Sequence, residues 1–520
     1  MKSKFRLTIA SVLVIGLGST LLGATAPASA KPGAKPSIAK SATSCAMPNN
    51  KYGRMFNNLP AAKYSSEATS KLASAIMAGP ETNPTPEGTL DAEENTDIAA
   101  GYTYFGQFVD HDLTADDRPN DLTTPTAVTS LVNGRTPQLD LDSVYGLGPK
   151  DTPQYYAADA MHLLTGATLT GANDAGATDL PRTASGRAII ADARNDENRI
   201  VAGIHSMFIR LHNQTVDRIR IQQPTASAAQ VFAMARSRVT AQYQSVIVSD
   251  FLPTIVGKNT MNDVLPTVRG KLTPQLRFYT NCAQMPVEFS VAAYRFGHSM
   301  VRGLYRLNST TERLPVFSVD FMTPGSDLGG FSPSPSNLAI DWSLFIPMKG
   351  ASTKNVQLSY KMDASITNSL SLLPLPVSSA GPADLAKRNL LRSQQLGLPS
   401  GQAVAKAMGL PVLSDAKILI GKATGDATEA SPITAISSEY AGSTPLWAYI
   451  LAEATAKSFK ISNGKIVGTQ TARFDLGPVG GHLVAETFIG LLASDAKSIL
   501  NSGSYQPLKL GRLFDNVLGH

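Results

Sequence analysis

Residues 101–119 read GYTYFGQFVDHDLTADDRP, and both the fold and the chemistry of the chain turn on this stretch. Phe105, Phe108, Val109 and Leu113 give it the spacing of an apolar helix. Gln107 and His111 stand at i and i+4 and share one face; Asp110 lies beside them, three residues from Gln107, while Asp112 points elsewhere. A histidine between two carboxylates suits a metal ligand, an acid–base group or a structurally paired core residue. For a lone histidine the last of these is commonest. So many polar side chains in an otherwise apolar helix carry a desolvation cost, however, and that argues for a chemical role.

The 520 residues are 43% hydrophobic and 17% charged, which supplies a large core and excludes a disordered chain. A net charge of +6 is mild at this length, and no basic run is interleaved with aromatics, so nucleic acid is excluded as a partner. Residues 1–30 have the form of a secretory signal peptide. Lys2, Lys4 and Arg6 precede an apolar run from Leu7 to Leu22, and Ala28-Ser29-Ala30 supplies the cleavage site. That run is interrupted by Ser11, Gly16, Gly18 and Ser19 and is short for a membrane span. The expectation is a secreted protein, extracellular or periplasmic, with no span after cleavage. Two cysteines, Cys45 and Cys282, are too few for a disulfide framework or a thiolate zinc site. An oxidising compartment would allow them to pair if their separation permits.

Residues 31–50, rich in Lys, Pro, Ala and Ser, read as a flexible arm, and residues 51–520 as one catalytic domain. Helical periodicity begins near residue 95. Ile204, Met207, Phe208 and Leu211 form one buried face; Phe232, Ala235, Val239, Tyr243 and Val246 form another on a helix starting just after Pro224-Thr225. Further helices are expected near 287–302, 382–395, 444–457 and 481–499. Residues 322–337 and 421–443, dense in Gly, Pro, Ser and Thr, read as irregular. There is no internal repeat. The predicted fold is mainly α, a large single domain with long loops and little sheet.

Three more stretches follow in order: ADARNDENRIVAGIHSMFIRLHNQ (191–214), AAYRFGHSM (292–300) and RNLLRSQQLGLPSG (388–401). Arg194 and Glu197 stand at i and i+3 at a predicted helix start and face one cavity. Together with FGQFVDHDLT (105–114), these segments resemble the animal-type haem peroxidase superfamily, the group of myeloperoxidase, lactoperoxidase and peroxinectin-like proteins with many bacterial members. LGPVGGHLVAETFIGLL (476–492) resembles the C-terminal part of bacterial members.

The resemblance implies the cyclooxygenase-like helical fold, haem b, and catalysis by His111, Arg194 and Gln107 on the peroxide side of the iron. A neutral imidazole suits His111 to moving a proton between the peroxide oxygens. Arg194, always charged, stabilises the leaving oxygen, and Gln107 bonds distal water and helps form the halide site. His298 is then the iron ligand, with Asn389 accepting a hydrogen bond from its second ring nitrogen. Arg295 faces the haem edge or a propionate. Asp110 and Glu197 align with carboxylates that form ester links to haem in mammalian members, a link bacterial relatives need not complete. The implied reaction reduces hydrogen peroxide through a ferryl and porphyrin-radical intermediate. Asn198 stands where myeloperoxidase has a sulfonium-forming methionine, which disfavours chloride and leaves bromide, iodide, thiocyanate or phenols as reductants.

Residues 136–146, TPQLDLDSVYG, offer oxygens at Thr136, the Gln138 carbonyl, Asp140 and Asp142. Read alone this is an Asp-rich turn. The resemblance makes it, with Asp112, a calcium site that tethers the helix bearing His111. His205 and His212 read as packing or hydrogen-bonding residues, and His162, His482 and His520 have no evident partners. Two other functions belong to the superfamily: fatty-acid dioxygenation, and adhesion of the peroxinectin-like kind. The dioxygenase tyrosine lies three residues before the proximal histidine. Here Arg295 occupies that position and Tyr294 is one residue further off, about 100° round an α-helix.

Overall fold

The computed structural model describes residues 50–80, 92–116, 121–280, 284–318, 325–378, 381–471 and 473–519. Residues 1–49, which hold the expected signal segment, nearly all of the expected arm and Cys45, lie outside the described residues, as do Cys282 and His520. Eight α-helices of nine or more residues stand among those described. They are α1 (Ser66–Ile76), α2 (Gly101–Leu113), α3 (Arg199–Gln222), α4 (Ala228–Val246), α5 (Leu385–Gln395), α6 (Leu446–Ser458), α7 (Pro478–Ser494) and α8 (Leu510–Leu518). Among the described residues the sheet content is six two-stranded pairs. This is the mainly helical architecture, with long connections, that the sequence predicts.

Helix α2 is the centre of the core. Twelve of its thirteen residues are buried, all but Gln107, as befits a helix surrounded by protein. Phe108 stacks on Phe208 of α3 with ring centroids 4.9 Å apart, and Phe105 meets Phe251 edge-on at 5.5 Å. Each such aromatic pair contributes about 1 kcal/mol beyond its buried area. Pro224 ends the α3 run, and Ser227 and Gln230 close a reciprocal capping box that starts α4, two residues beyond the expected Pro-Thr signal. The strand Glu94–Ala99 pairs antiparallel with Leu358–Tyr360 and delivers the chain into α2.

Three local readings change. Helix α1 was not expected: its face is Leu72, Ala73 and Ile76, too many small residues for a strong period, and the Ser65 hydroxyl caps it by accepting from the Ala68 N–H. Within 421–443, Ala430–Pro432 pairs antiparallel with Leu419–Gly421 and Ile433–Ile436 forms a helical turn. The helix expected over 287–302 is a π-turn, Glu288–Ala292, running into a 3₁₀ segment, Ala293–His298. Among the described residues no helix is long and apolar enough to cross a membrane.

Candidate active site

A cavity of about 470 Å³ opens between α2, the turn at 193–198, the segment 287–301 and α5. That is the size range of cofactor sites. Gln107, Asp110, His111, Arg194, Glu197, Asn198, Arg295, His298 and Asn389 all line it. Residues as far apart as 107 and 389 therefore meet in one space, so every side chain assigned to catalysis or haem binding is brought together.

His111 is buried, and its Nδ1 lies 2.9 Å from Asn195 Oδ1. The other end of that carboxamide, Nδ2, is 3.0 Å from His205 Nδ1. With the amide so placed, His111 donates to Asn195 and Asn195 donates to His205, leaving His111 Nε2 as the unprotonated nitrogen. Burial, reinforced by the Arg194 cation, lowers His111 to about 4, so the ring is neutral near pH 7. Arg194 is held in a fixed attitude. Its Nε and Nη2 donate to Asp192 at 3.0 and 2.7 Å, and Nη2 also donates to the Thr114 and His111 carbonyls at 2.6 and 3.2 Å. The arginine thus caps the C-terminal end of α2, where carbonyls lack helical partners. Burial raises the Asp192 carboxyl, but the guanidinium outweighs it and holds Asp192 below the usual carboxylate range.

Glu197 is half-buried, makes no side-chain hydrogen bond among the described residues, and is raised by burial to about 7. Asp110 accepts from Thr114 Oγ1 at 3.0 Å and pairs with Arg295 Nη1 at 3.4 Å. The Gly-rich segment 325–331 straps this turn from behind. Gly330 and Phe331 donate to the Glu197 and Asp196 carbonyls at 2.9 and 2.8 Å, and a Cβ at Gly330 would lie 1.7 Å from Asp196 O. Only glycine permits that approach.

On the opposite wall, the His298 Nδ1 is 2.8 Å from the Asn389 side-chain amide. As placed, the amide nitrogen faces the ring. Rotating the carboxamide by 180° presents Oδ1 instead, and Asn389 Nδ2 has no other hydrogen bond among the described residues to lose. Burial, then the Arg295 cation, lowers His298 to about 3, which leaves a neutral imidazole. Trp447 Nε1 donates to the Arg295 carbonyl and Arg295 Nε to the Ser290 carbonyl, bracing the 3₁₀ turn. The π-then-3₁₀ backbone replaces the α-helical wheel on which Tyr294 turned away. Tyr294 lines the cavity, stacks on Phe289 at 4.7 Å and donates to the Gly106 carbonyl at 3.2 Å.

Next to α2, carboxylate oxygens of Asp112, Asp140 and Asp142 converge within 4.8 Å of one another. Thr136 Oγ1 donates to Asp140 at 3.0 Å, and the Gln138 N–H bonds the Thr136 carbonyl in the same loop. Arg236 and Arg135 flank Asp140 and Asp142 at 3.3 and 3.6 Å. Asp142 Oδ1 is buried with no hydrogen-bond partner among the described residues. Arg135 also donates to Asp192, so one arginine connects the acidic cluster to the carboxylate that holds Arg194.

Sequence reasoning missed Asn195, Asp192, Thr114, Arg135 and Gly330. Asp192 alone carried a local signal, because it caps the 193–196 turn by accepting from the Arg194 N–H. Of the declined histidines, His205 bonds Asn195, and His212 bonds Tyr145 and the Met161 carbonyl. His162 sits between Asp159 and Asp217, and His482 meets Arg277.

The sequence pattern of the family described as animal haem peroxidase matches residues 118–445. The chain belongs to that family. Its matched part includes Arg194, Glu197, His298 and Asn389; α2 lies just before it. Thyroid peroxidase of Mus musculus is 28% identical over 286 residues, covering 52% of this chain and 29% of that protein. Peroxinectin A of Dictyostelium discoideum is 26% identical over 226 residues, covering 42% and 37%. The chain thus spans about a quarter to two fifths of the length of such curated relatives. Peroxidase A from Dictyostelium discoideum shares the fold with a TM-score of 0.58 at 16% identity, over 91% of this chain and 93% of that one. A fatty acid alpha-dioxygenase of Arabidopsis thaliana shares it with a TM-score of 0.59 at 15% identity, over 90% and 77%.

Proposed function

We propose that this chain is an exported haem peroxidase that reduces hydrogen peroxide and oxidises small anions or phenols. One observation carries the reading. Two imidazoles, His111 and His298, line a single cavity, each neutral by burial and each with Nδ1 against an asparagine. Nε2 is therefore the nitrogen left for iron in one case and for a proton in the other.

The cavity suits haem b. His298 offers a neutral nitrogen ligand, Met300, Val301, Val316 and Phe317 an apolar wall, and Arg295 a cation for a propionate. Glu197, a cavity carboxyl without a side-chain hydrogen bond among the described residues, and Asp110 would supply the ester links to its methyl groups. When bound, haem supplies the iron on which the peroxide bond is broken. Asn389, with Oδ1 turned to the ring, accepts from His298 Nδ1–H and increases the ligand's basicity. His111 Nε2 takes the proton from the near oxygen of peroxide and returns it to the far one. Arg194, clamped by Asp192, stabilises the charge on the departing oxygen, and Gln107 bonds the distal oxygen or water. With Asn198 in place of a methionine there is no sulfonium bond, and bromide, iodide, thiocyanate or phenols are the reductants.

The converging Asp112, Asp140 and Asp142, with Thr136 and the Gln138 carbonyl, form an oxygen-rich shell of the kind calcium takes. Asp142 Oδ1, buried without a hydrogen bond among the described residues and approached by Arg135 only to 3.6 Å, supports a cation there. Export rests on the form of residues 1–30.

A second reading, lipid dioxygenation, draws on Tyr294 at the cavity wall. The test treats the two together. The purified protein is loaded with haem, its Soret band recorded, and peroxide added with bromide or a phenol; oxygen uptake with linoleate is measured separately. Peroxide-dependent turnover is expected. Oxygen uptake with lipid and no peroxide turnover would sink the peroxidase assignment. His298→Ala should abolish stable haem ligation, whereas His111→Ala should keep haem and lose peroxide activation.

A further inference from the structure

Asn198 makes two kinds of contact at once. As the N-cap of α3, its Oδ1 accepts from the Ile200 and Val201 N–H groups at 3.1 and 3.0 Å. Two backbone donors on one oxygen settle which end of the carboxamide is which, since an amide nitrogen accepts from neither. Nδ2 is consequently the end that faces Gln107, and it donates to Gln107 Oε1 at 3.0 Å. This settles Gln107 in turn: its carbonyl is engaged, and its Nε2 donors, which make no hydrogen bond among the described residues, remain for the cavity that Gln107 lines.

We infer that Asn198 is a positioning residue that fixes the polarity of Gln107, making it a committed hydrogen-bond donor to small anions in the cavity. The inference rests on the haem peroxidase reading for its ligand class. Without the Asn198 contact a glutamine amide rotates freely and offers carbonyl or amine with similar ease. With it, an anion or an acceptor oxygen meets only N–H from Gln107, in a cavity that Arg194 also lines.

The test is a cycle of Asn198→Ser, Gln107→Ala and the double variant. Serine keeps the helix cap, because its hydroxyl accepts from the same backbone N–H groups, but is too short to reach Gln107. Bromide is titrated into the ferric haem-loaded protein and followed by the Soret shift. Bromide NMR line broadening, which needs no haem, is measured in parallel, and unfolding temperature is recorded for each variant. The expected result is a bromide Kd raised about twofold in Asn198→Ser, because the anion must then select one of two amide orientations of similar energy. Its unfolding temperature stays unchanged, and no further loss appears when the serine is added to Gln107→Ala. Wild-type bromide affinity in Asn198→Ser, or losses that multiply in the double variant, would overturn the inference. Failure of the wild-type chain to take haem would instead strike the peroxidase reading, while the NMR comparison still decides the role of Asn198.

Discussion

Stripping the divalent cation proposed for the Asp112–Asp140–Asp142 cluster should destabilise the protein more at pH 8 than at pH 5. In the cation-free fold burial raises all three carboxyls, and like charges add to this at Asp112 and Asp142. Asp142 moves from 3.8 to about 6 despite the nearby Arg135. Ionising it in that fold costs about 3 kcal/mol relative to the unfolded chain. The sign follows from proton binding: the contribution of a raised carboxyl is fully present below pH 3.8 and is lost as pH rises through about 6. A bound cation reverses this, since it holds the carboxylates ionised and is displaced as pH falls. For a domain of this size 3 kcal/mol corresponds to about 3 °C in Tm. Scanning calorimetry with and without EDTA at the two pH values, with metal content measured on the purified protein, reads the effect directly. Asp142→Asn should recover about those 3 °C in EDTA at pH 8. Protein that purifies without a divalent cation and shows the same Tm with and without EDTA at pH 8 would refute the reasoning.

Other outcomes follow from the hydrogen bonds of the cavity wall that carries His111. Asn195→Leu removes the acceptor that holds His111 Nδ1–H and should slow the stopped-flow reaction with peroxide by roughly tenfold or more, with haem content unchanged. An unaltered rate would mean that Asn195 does not set the His111 tautomer. Because His111 is lowered to about 4, the rate with peroxide should stay flat across about pH 5.5–8 and fall only as the ring is protonated near pH 4. Its stability contribution has the corresponding sign: a buried neutral histidine penalises the fold progressively as pH drops from 6.5 through about 4. Gly330→Ala forces a methyl against the Asp196 carbonyl and should cost about 1–3 kcal/mol, read as a lower Tm and weaker haem retention.

Much of this protein is legible along the chain because its cues are local. The apolar spacing of α2, α3 and α4 follows from residues within a few turns, and so does the start of α4 beside Ser227 and Gln230. The polar set Gln107, Asp110 and His111 stands out on an apolar helix for the same reason. The segment before His298 was misread, since its helical composition says nothing of the π-turn and 3₁₀ geometry that packing of Phe289, Tyr294 and Phe488 selects.

By itself, then, the order of residues determined a mainly helical chain, an apolar helix carrying His111, and a set of candidate side chains in family order. Only the tertiary structure decided how those side chains are held. His111 is bonded by Asn195 from 84 residues away, Gln107 by Asn198 from 91, and His298 by Asn389 from 91. No local propensity encodes such pairs. They exist because α2, the 193–198 turn, the 3₁₀ segment and α5 pack around one cavity, and burial there requires each polar atom to find the partner that packing brings within reach.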